Sequence, residues 1–152
     1  HVKIDYPSTG SERKILELSR DEKNSKIKAF ENPLTQSQLN KARAAVRDVR
    51  MSEQVEEYLV QIILATRNSE KYGGNLSDWL EFGASPRATI ALDICSKSLA
   101  WLDNRNFVTP DDIRSIAHDV LRHRLILSFE AEANGISSDQ VVDELLKVVP
   151  SA

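Results

Sequence analysis

The residues best suited to chemistry lie in Glu81-Phe82-Gly83-Ala84-Ser85-Pro86-Arg87-Ala88, where a helix begins with a cation in its first turn. Serine is a favoured N-cap, and proline fits the first helical position, where a missing N–H costs nothing. Ser85-Pro86 therefore predicts a helix start. Arg87 then stands beside free N–H groups that already form the positive end of the helix dipole, a placement unfavourable by roughly 0.3–1 kcal/mol. An anion resolves the conflict: a phosphate held by the amides exposed after Gly83 and by the Arg87 guanidinium together. The alternative is an ordinary ion pair with Glu81 or Asp78. Gly83, Ser85 and Arg87 are accordingly the candidate anion-binding residues.

Other groups read differently. Thr109-Pro110-Asp111-Asp112 has the order of a helix cap followed by acids in the first turn, so capping accounts for both carboxylates. His118 and His123 are five apart, which does not place them on one helix face for a metal. Arg122-His123-Arg124 fits a phosphate or an acidic neighbour, and equally a solvated helix end. The single cysteine, Cys95, excludes an internal disulfide and a cysteine-rich metal site, and its apolar surroundings predict a small buried hydrophobe. There is no glycine-rich phosphate loop ending in Lys-Ser or Lys-Thr, no acidic strand end to hold magnesium and no nucleophile elbow. An anion site without such machinery implies that the rest of an active site lies before His1 or in another subunit.

Composition narrows the classes further. The 152 residues, 41% hydrophobic and 28% charged, fit one globular domain or a compact domain with an appended segment. A net charge of −3 argues against general binding to nucleic acid or to acidic membranes, which need a basic field. No apolar run approaches the roughly 20 residues of a membrane span, and no signal peptide opens the chain, so a reduced, cytoplasmic setting is expected.

The elements that must position Arg87 are helical. His1-Val2-Lys3-Ile4-Asp5-Tyr6-Pro7 alternates like a strand with nothing to pair with, as in a piece of a larger protein. Thr9 and Glu12 have capping-box spacing before Ile15, Leu16 and Leu18. The polar stretch from Ser19 to Lys28 reads as a frayed helix end or linker, and Phe30 to Leu34 as a connection interrupted by Pro33. Thr35 and Gln38 cap a helix carrying Leu39, Ala42, Val46 and Val49, with Arg43, Arg47 and Arg50 on a solvated face. Ser52 caps the next, whose buried side is Val55, Leu59, Ile62 and Ile63 with Tyr58 alongside. Residues 72 to 84 read as a loop whose aromatics, Trp79 and Phe82, either pin it to the core or meet a partner.

The helix starting at Ser85 is the most apolar, with Ala88, Leu92, Cys95, Leu99 and Leu102 in one stripe that Ala91, Ile94 and Trp101 widen. That pattern predicts the central helix of a bundle and a rigid mount for Arg87. Ile113, Ile116, Ala117, Val120 and Leu121 predict a following helix, and Ser137 with Gln140 opens a last one that Pro150 stops. Leu125-Ile126-Leu127 reads as a short strand beside Asn106-Val108. The expected fold is all-α: a bundle of five to six helices with an orphan N-terminal strand and one short β pair.

Taken together, Gly83-Ala84-Ser85-Pro86-Arg87-Ala88, Asn106-Phe107-Val108-Thr109-Pro110-Asp111-Asp112-Ile113 and Val120-Leu121-Arg122-His123-Arg124-Leu125-Ile126-Leu127 resemble the C-terminal lid of the MoxR family of AAA+ ATPases. Tyr6-Pro7-Ser8, Glu31-Asn32-Pro33-Leu34, Val55-Glu56-Glu57-Tyr58 and Ala65-Thr66-Arg67 resemble that family in order. Magnesium chelatase ATPase subunits share a similar lid. The stretch Tyr72 to Leu80 departs from the pattern as an insertion ahead of Gly83.

The resemblance implies that Arg87 is the sensor-2 arginine, which approaches the γ-phosphate of ATP. It also implies that residues 1–28 end an ATPase core and its linker, with the helical lid at 29–152. ATP and Mg2+ would be held with that core, and the isolated lid would hydrolyse nothing. A hexameric ring, a client protein and a partner with a von Willebrand factor A domain are implied in the same way, with no nucleic acid and no membrane insertion. Two other classes compete. A free-standing helical adaptor leaves Arg87 unexplained, and a helix-turn-helix DNA binder needs a basic recognition helix that the acidic balance disfavours.

Overall fold

Most of the helices begin where a Ser or Thr hydroxyl accepts an exposed backbone N–H, and most of these starts follow the sequence signals. The computed structural model describes residues 1–22 and 32–151. Among these, eight α-helices occur: α1 (Thr9–Glu22), α2 (Gln36–Arg47), α3 (Glu53–Arg67), α4 (Leu76–Trp79), α5 (Pro86–Leu102), α6 (Pro110–Leu121), α7 (Phe129–Ala133) and α8 (Ser138–Val148). Thr35, Thr109 and Ser137 form reciprocal capping boxes with Gln38, Asp112 and Gln140, and Ser52 accepts from the Val55 amide. At α1 the cap is Ser8 rather than Thr9: its carbonyl accepts from the Glu12 amide at 2.9 Å and its hydroxyl from the Ser11 amide at 3.3 Å. Of the stretch read as a frayed helix end or linker, Ser19 to Glu22 end α1 and the rest to Lys28 lies outside the described residues, as do Phe30 and Glu31 of the connection, whose Asn32, Pro33 and Leu34 are non-helical as expected.

The bundle closes around α5, which packs against α2, α3 and α6, while α8 covers α3 and α6. Ile62, Ile63, Leu92, Ile113, Leu121 and Leu145 meet in the core and are essentially inaccessible. Each such side chain contributes about 1.5–3 kcal/mol by leaving water. The stripe on α5 differs from the expected one. Ala88, Leu92, Ser96 and Ala100 are buried, whereas Cys95, Ile94 and Leu102 are exposed. The buried row follows a strict four-residue step, and the Ser96 hydroxyl tolerates burial by donating to the Asp93 carbonyl at 3.1 Å. Cys95 is therefore no core residue.

Two further expectations change. Residues 1–8 form no strand, because no neighbouring ladder offers them partners. A short β pair exists, but β2 (Ile126–Leu127) lies antiparallel to β1 (Leu80–Phe82) rather than beside Asn106-Val108. Asn106 and Val108 instead bond the backbone of Arg50, each at 2.9 Å, and so tie the α2–α3 link to the α5–α6 turn. The stretch read as a loop from 72 to 84 contains α4, with Leu76 fully buried, and β1. Trp79 packs partly on the core and Phe82 is exposed, so only the first of these aromatics pins the segment.

The α5–α6 turn depends on one ion pair. Arg105 reaches both oxygens of nearly inaccessible Asp112 at 2.7 and 2.5 Å, while Asp112 also accepts from the Thr109 amide at 2.7 Å. Burial alone pushes the Asp112 carboxyl up. The Arg105 and Thr109 hydrogen bonds outweigh it and hold the carboxyl below its usual range. Asp112→Ala is expected to cost about 2–3 kcal/mol, by losing the cap and the two-pronged bond to Arg105, which keeps only Asp103 and the Phe107 carbonyl, and to lower the melting temperature by roughly 5–10 °C. Because the folded-state value is depressed, the stabilisation is present above the ordinary carboxylate range near pH 4 and is lost as pH falls below it. Acid titration of Asp112→Asn, followed by circular dichroism, should show a flatter stability profile there than the unsubstituted protein does.

Candidate functional site

The site is the junction between the end of α3 and the start of α5. Ser85 occupies the N-cap position in extended conformation (φ −73°, ψ 166°), and its carbonyl accepts from the Ala88 amide at 2.8 Å. Its hydroxyl makes no cap bond, so it stays available for another partner. Pro86 follows, then Arg87, which is exposed. Among the described residues the Arg87 side chain has no hydrogen bond and no ion pair. Glu81 and Asp78, the carboxylates that would have neutralised it, do not pair with it. The uncompensated cation expected at this helix start is therefore present.

Gly83 acts differently from the sequence expectation. A Cβ at this position would fall 2.5 Å from the Thr66 carbonyl carbon and 2.9 Å from the Arg67 nitrogen, and closer still to the Thr66 carbonyl oxygen. Its missing side chain permits a close approach of two backbones. The amide that follows is not exposed: Ala84 N–H donates to the Thr66 hydroxyl at 2.9 Å, and Ala84 itself is buried. The Ala84 carbonyl accepts from Arg67 Nε at 2.8 Å. The predicted cradle of amides after Gly83 thus shrinks to donors on Ser85 and Arg87. Gly83 supports the turn from below.

Thr66 and Arg67 were visible in sequence as part of Ala65-Thr66-Arg67, but nothing in their spacing from Gly83 assigns them a role. They stand 18 and 17 residues before Ala84, and only the fold brings them together. The antiparallel β1–β2 pair and the Ser128 amide, which donates to the Trp79 carbonyl at 2.9 Å, hold the other side of the junction. The stretch from Tyr72 to Leu80, ahead of Gly83, is thus a structured anchor.

The remaining candidates are spoken for. Arg122 of the basic triplet binds Asp139 at 2.5 Å and Asp119 at 3.1 Å, which makes it a link between α6 and α8. His118 meets Asp143 at 3.0 Å. Among the described residues, no group of three or more His, Cys, Asp or Glu side chains is placed to hold a metal ion, and no helix is long and apolar enough to cross a membrane. A cavity of about 560 Å³ lies between α2 and α5, lined by Leu39, Ala42, Val46, Ile94, Trp101 and Leu102. Gly83, Ser85 and Arg87 do not line it.

Comparison with known proteins bears on the same junction. The AAA lid domain family matches residues 77–145, a span that runs from α4 into α8 and includes Gly83, Ser85 and Arg87. The chain is 40% identical over 94 residues to Chaperone MoxR1 of Mycobacterium tuberculosis, covering 61% of this chain and 25% of that protein. It is 31% identical over 148 residues to the uncharacterized protein YeaC of Bacillus subtilis, covering 97% of this chain and 43% of that one. A crystal structure of a candidate ATPase from Cytophaga hutchinsonii superposes with a TM-score of 0.83 at 33% identity, over 98% of this chain and 45% of that one. The chain spans less than half the length of each of these relatives.

Proposed function

Because the chain carries the lid domain of the MoxR family of AAA+ ATPases, we propose that it closes over ATP bound to an ATPase core and that Arg87 is its sensor-2 arginine. The observation that carries this reading is the exposed guanidinium without a partner among the described residues, at a helix start whose N-cap hydroxyl makes no cap bond. These groups fit an oxyanion. Arg87 supplies a charged, forked donor, and the dipole of the 17-residue α5 adds positive potential. ATP, when bound, supplies the γ-phosphoryl group. Arg87 stabilises negative charge on its oxygens, and Ser85 and the first-turn amide of α5 are free to donate to the same anion. The ligands for Mg2+ belong to the core.

Loss of the contact to Arg87 after hydrolysis releases the lid to rotate as a rigid body. Residues 1–28 are the end of the core and its linker in this reading, and 29–152 are the moving unit. AAA+ ATPases commonly work as oligomeric rings, and repeated lid rotation round a hexamer in the cytoplasm would remodel a client protein, in concert with a von Willebrand factor A domain partner. Lid motion is tested in the full-length protein with one fluorophore on the core and another on the exposed surface of α6. The transfer efficiency should differ between a non-hydrolysable ATP analogue and ADP, and the difference should vanish in Arg87→Ala. Equal efficiencies in both nucleotides overturn the lid motion.

A further inference from the structure

The polar groups of Ala84 are held by two consecutive residues of the last turn of α3. Thr66, only 2% exposed, accepts the Ala84 N–H on its hydroxyl and donates its own O–H to the Ile63 carbonyl at 2.7 Å. Arg67 donates Nε to the Ala84 carbonyl. Gly83 lets the chain lie directly on the Thr66 backbone. Only Ser85 and Pro86 then separate this fixed residue from Arg87, and the proline ring locks its own φ near −65°. The backbone path from α3 to the arginine Cα is therefore short and held at Ala84, at Pro86 and by the Ala88 amide on the Ser85 carbonyl.

We infer that Thr66 and Arg67 are positioning residues for Arg87: by clamping Ala84 they fix the direction in which the guanidinium meets the terminal phosphate. The inference rests on the sensor reading of Arg87 and adds what aims it. Neither residue touches the nucleotide in this scheme. Their effect passes through the backbone, so the last turn of α3 and the first turn of α5 move as one body when the lid rotates. The same clamp accounts for a threonine, rather than a valine of equal size, at a site without access to solvent. Among the described residues its hydroxyl is the one partner of the buried Ala84 amide.

The test is a mutant cycle in the full-length ATPase. Thr66→Val should lower kcat/KM for ATP about tenfold, since small misplacements of a catalytic group have effects of this order or larger. Thr66→Ser should return it to within about twofold. In an Arg87→Ala background Thr66→Val should change hydrolysis by less than about twofold, because the group it aims is gone. Arg67→Met, at an exposed position, should behave in the same way and decides the matter if Thr66→Val does not fold. An equal loss from these variants with and without Arg87 overturns the inference, as it would show a general effect on the fold. Full activity of both variants beside an impaired Arg87→Ala overturns the clamp alone. Unimpaired Arg87→Ala overturns the sensor reading and the clamp with it.

Discussion

On the proposed sensor reading, replacing Arg87 with alanine in the full-length protein is expected to lower kcat for ATP by roughly a hundredfold or more while the helical domain stays folded. Removing one preorganised charge from a site of phosphoryl transfer has effects of about this size, since such sites work mainly by position and electrostatics. The folded state should not suffer. Arg87 is exposed and has no partner among the described residues, so its truncation opens no cavity and strands no carboxylate. Surface changes of this kind stay within about 0.5 kcal/mol, and removal of a cation from the first turn of α5 is a small gain. Arg87→Lys should recover only part of the loss, because an ammonium is a point charge and cannot grip two oxygens side by side. Steady-state hydrolysis and thermal unfolding, measured on the same preparations, check both halves. Unchanged turnover sinks the sensor assignment, and a large drop in melting temperature would mean that Arg87 has a structural partner.

The sequence made the caps and long helices legible because their causes are local. Thr35 with Gln38, Thr109 with Asp112 and Ser137 with Gln140 each complete a capping box within four residues, and all three form. The unpaired state of the Arg87 side chain among the described residues has a local cause too, since its conflict with the helix dipole lies within one turn. What failed depends on contacts distant in sequence. Cys95 and Ser96 are neighbours on α5, and the choice of which to bury is made by the faces of α3 and α6. Hydrophobicity favoured Cys95, but the Ser96 hydroxyl finds an acceptor on its own helix and so enters the core without an unsatisfied group. The partner of β2 went to β1 because the segment after Gly74 folds back through α4, with Leu76 buried beneath it. The amides after Gly83 looked free in sequence because their acceptor, Thr66, lies 18 residues away from Ala84.

That last contact makes Gly83 the position where a single methyl group should do the most structural damage. Gly83 does not need a left-handed backbone, so alanine is conformationally permitted there, and the penalty comes entirely from space. The atoms in the way are the Thr66 carbonyl and the Arg67 nitrogen, which belong to the backbone of α3. No side-chain rotation can clear them. Either the loop withdraws or the end of α3 unwinds. Overpacking of this kind costs about 1–3 kcal/mol, and withdrawal also breaks the two bonds to Ala84, at about 1 kcal/mol each.

The sum for Gly83→Ala, about 3–5 kcal/mol, is a large share of the 5–15 kcal/mol that stabilises an ordinary domain. A melting temperature roughly 10–15 °C below that of the unsubstituted protein is expected. Ser85→Ala, two residues on, provides the contrast. An N-cap serine usually contributes about 1 kcal/mol through its hydroxyl, yet this hydroxyl makes no cap bond. Its loss should shift the melting temperature by no more than about 2 °C. Scanning calorimetry on the two variants would separate a turn held by backbone contact at Gly83 from one held by capping at Ser85. Equal losses, or a larger one at Ser85, would show that the α3–α5 junction is not the close backbone contact that aims Arg87.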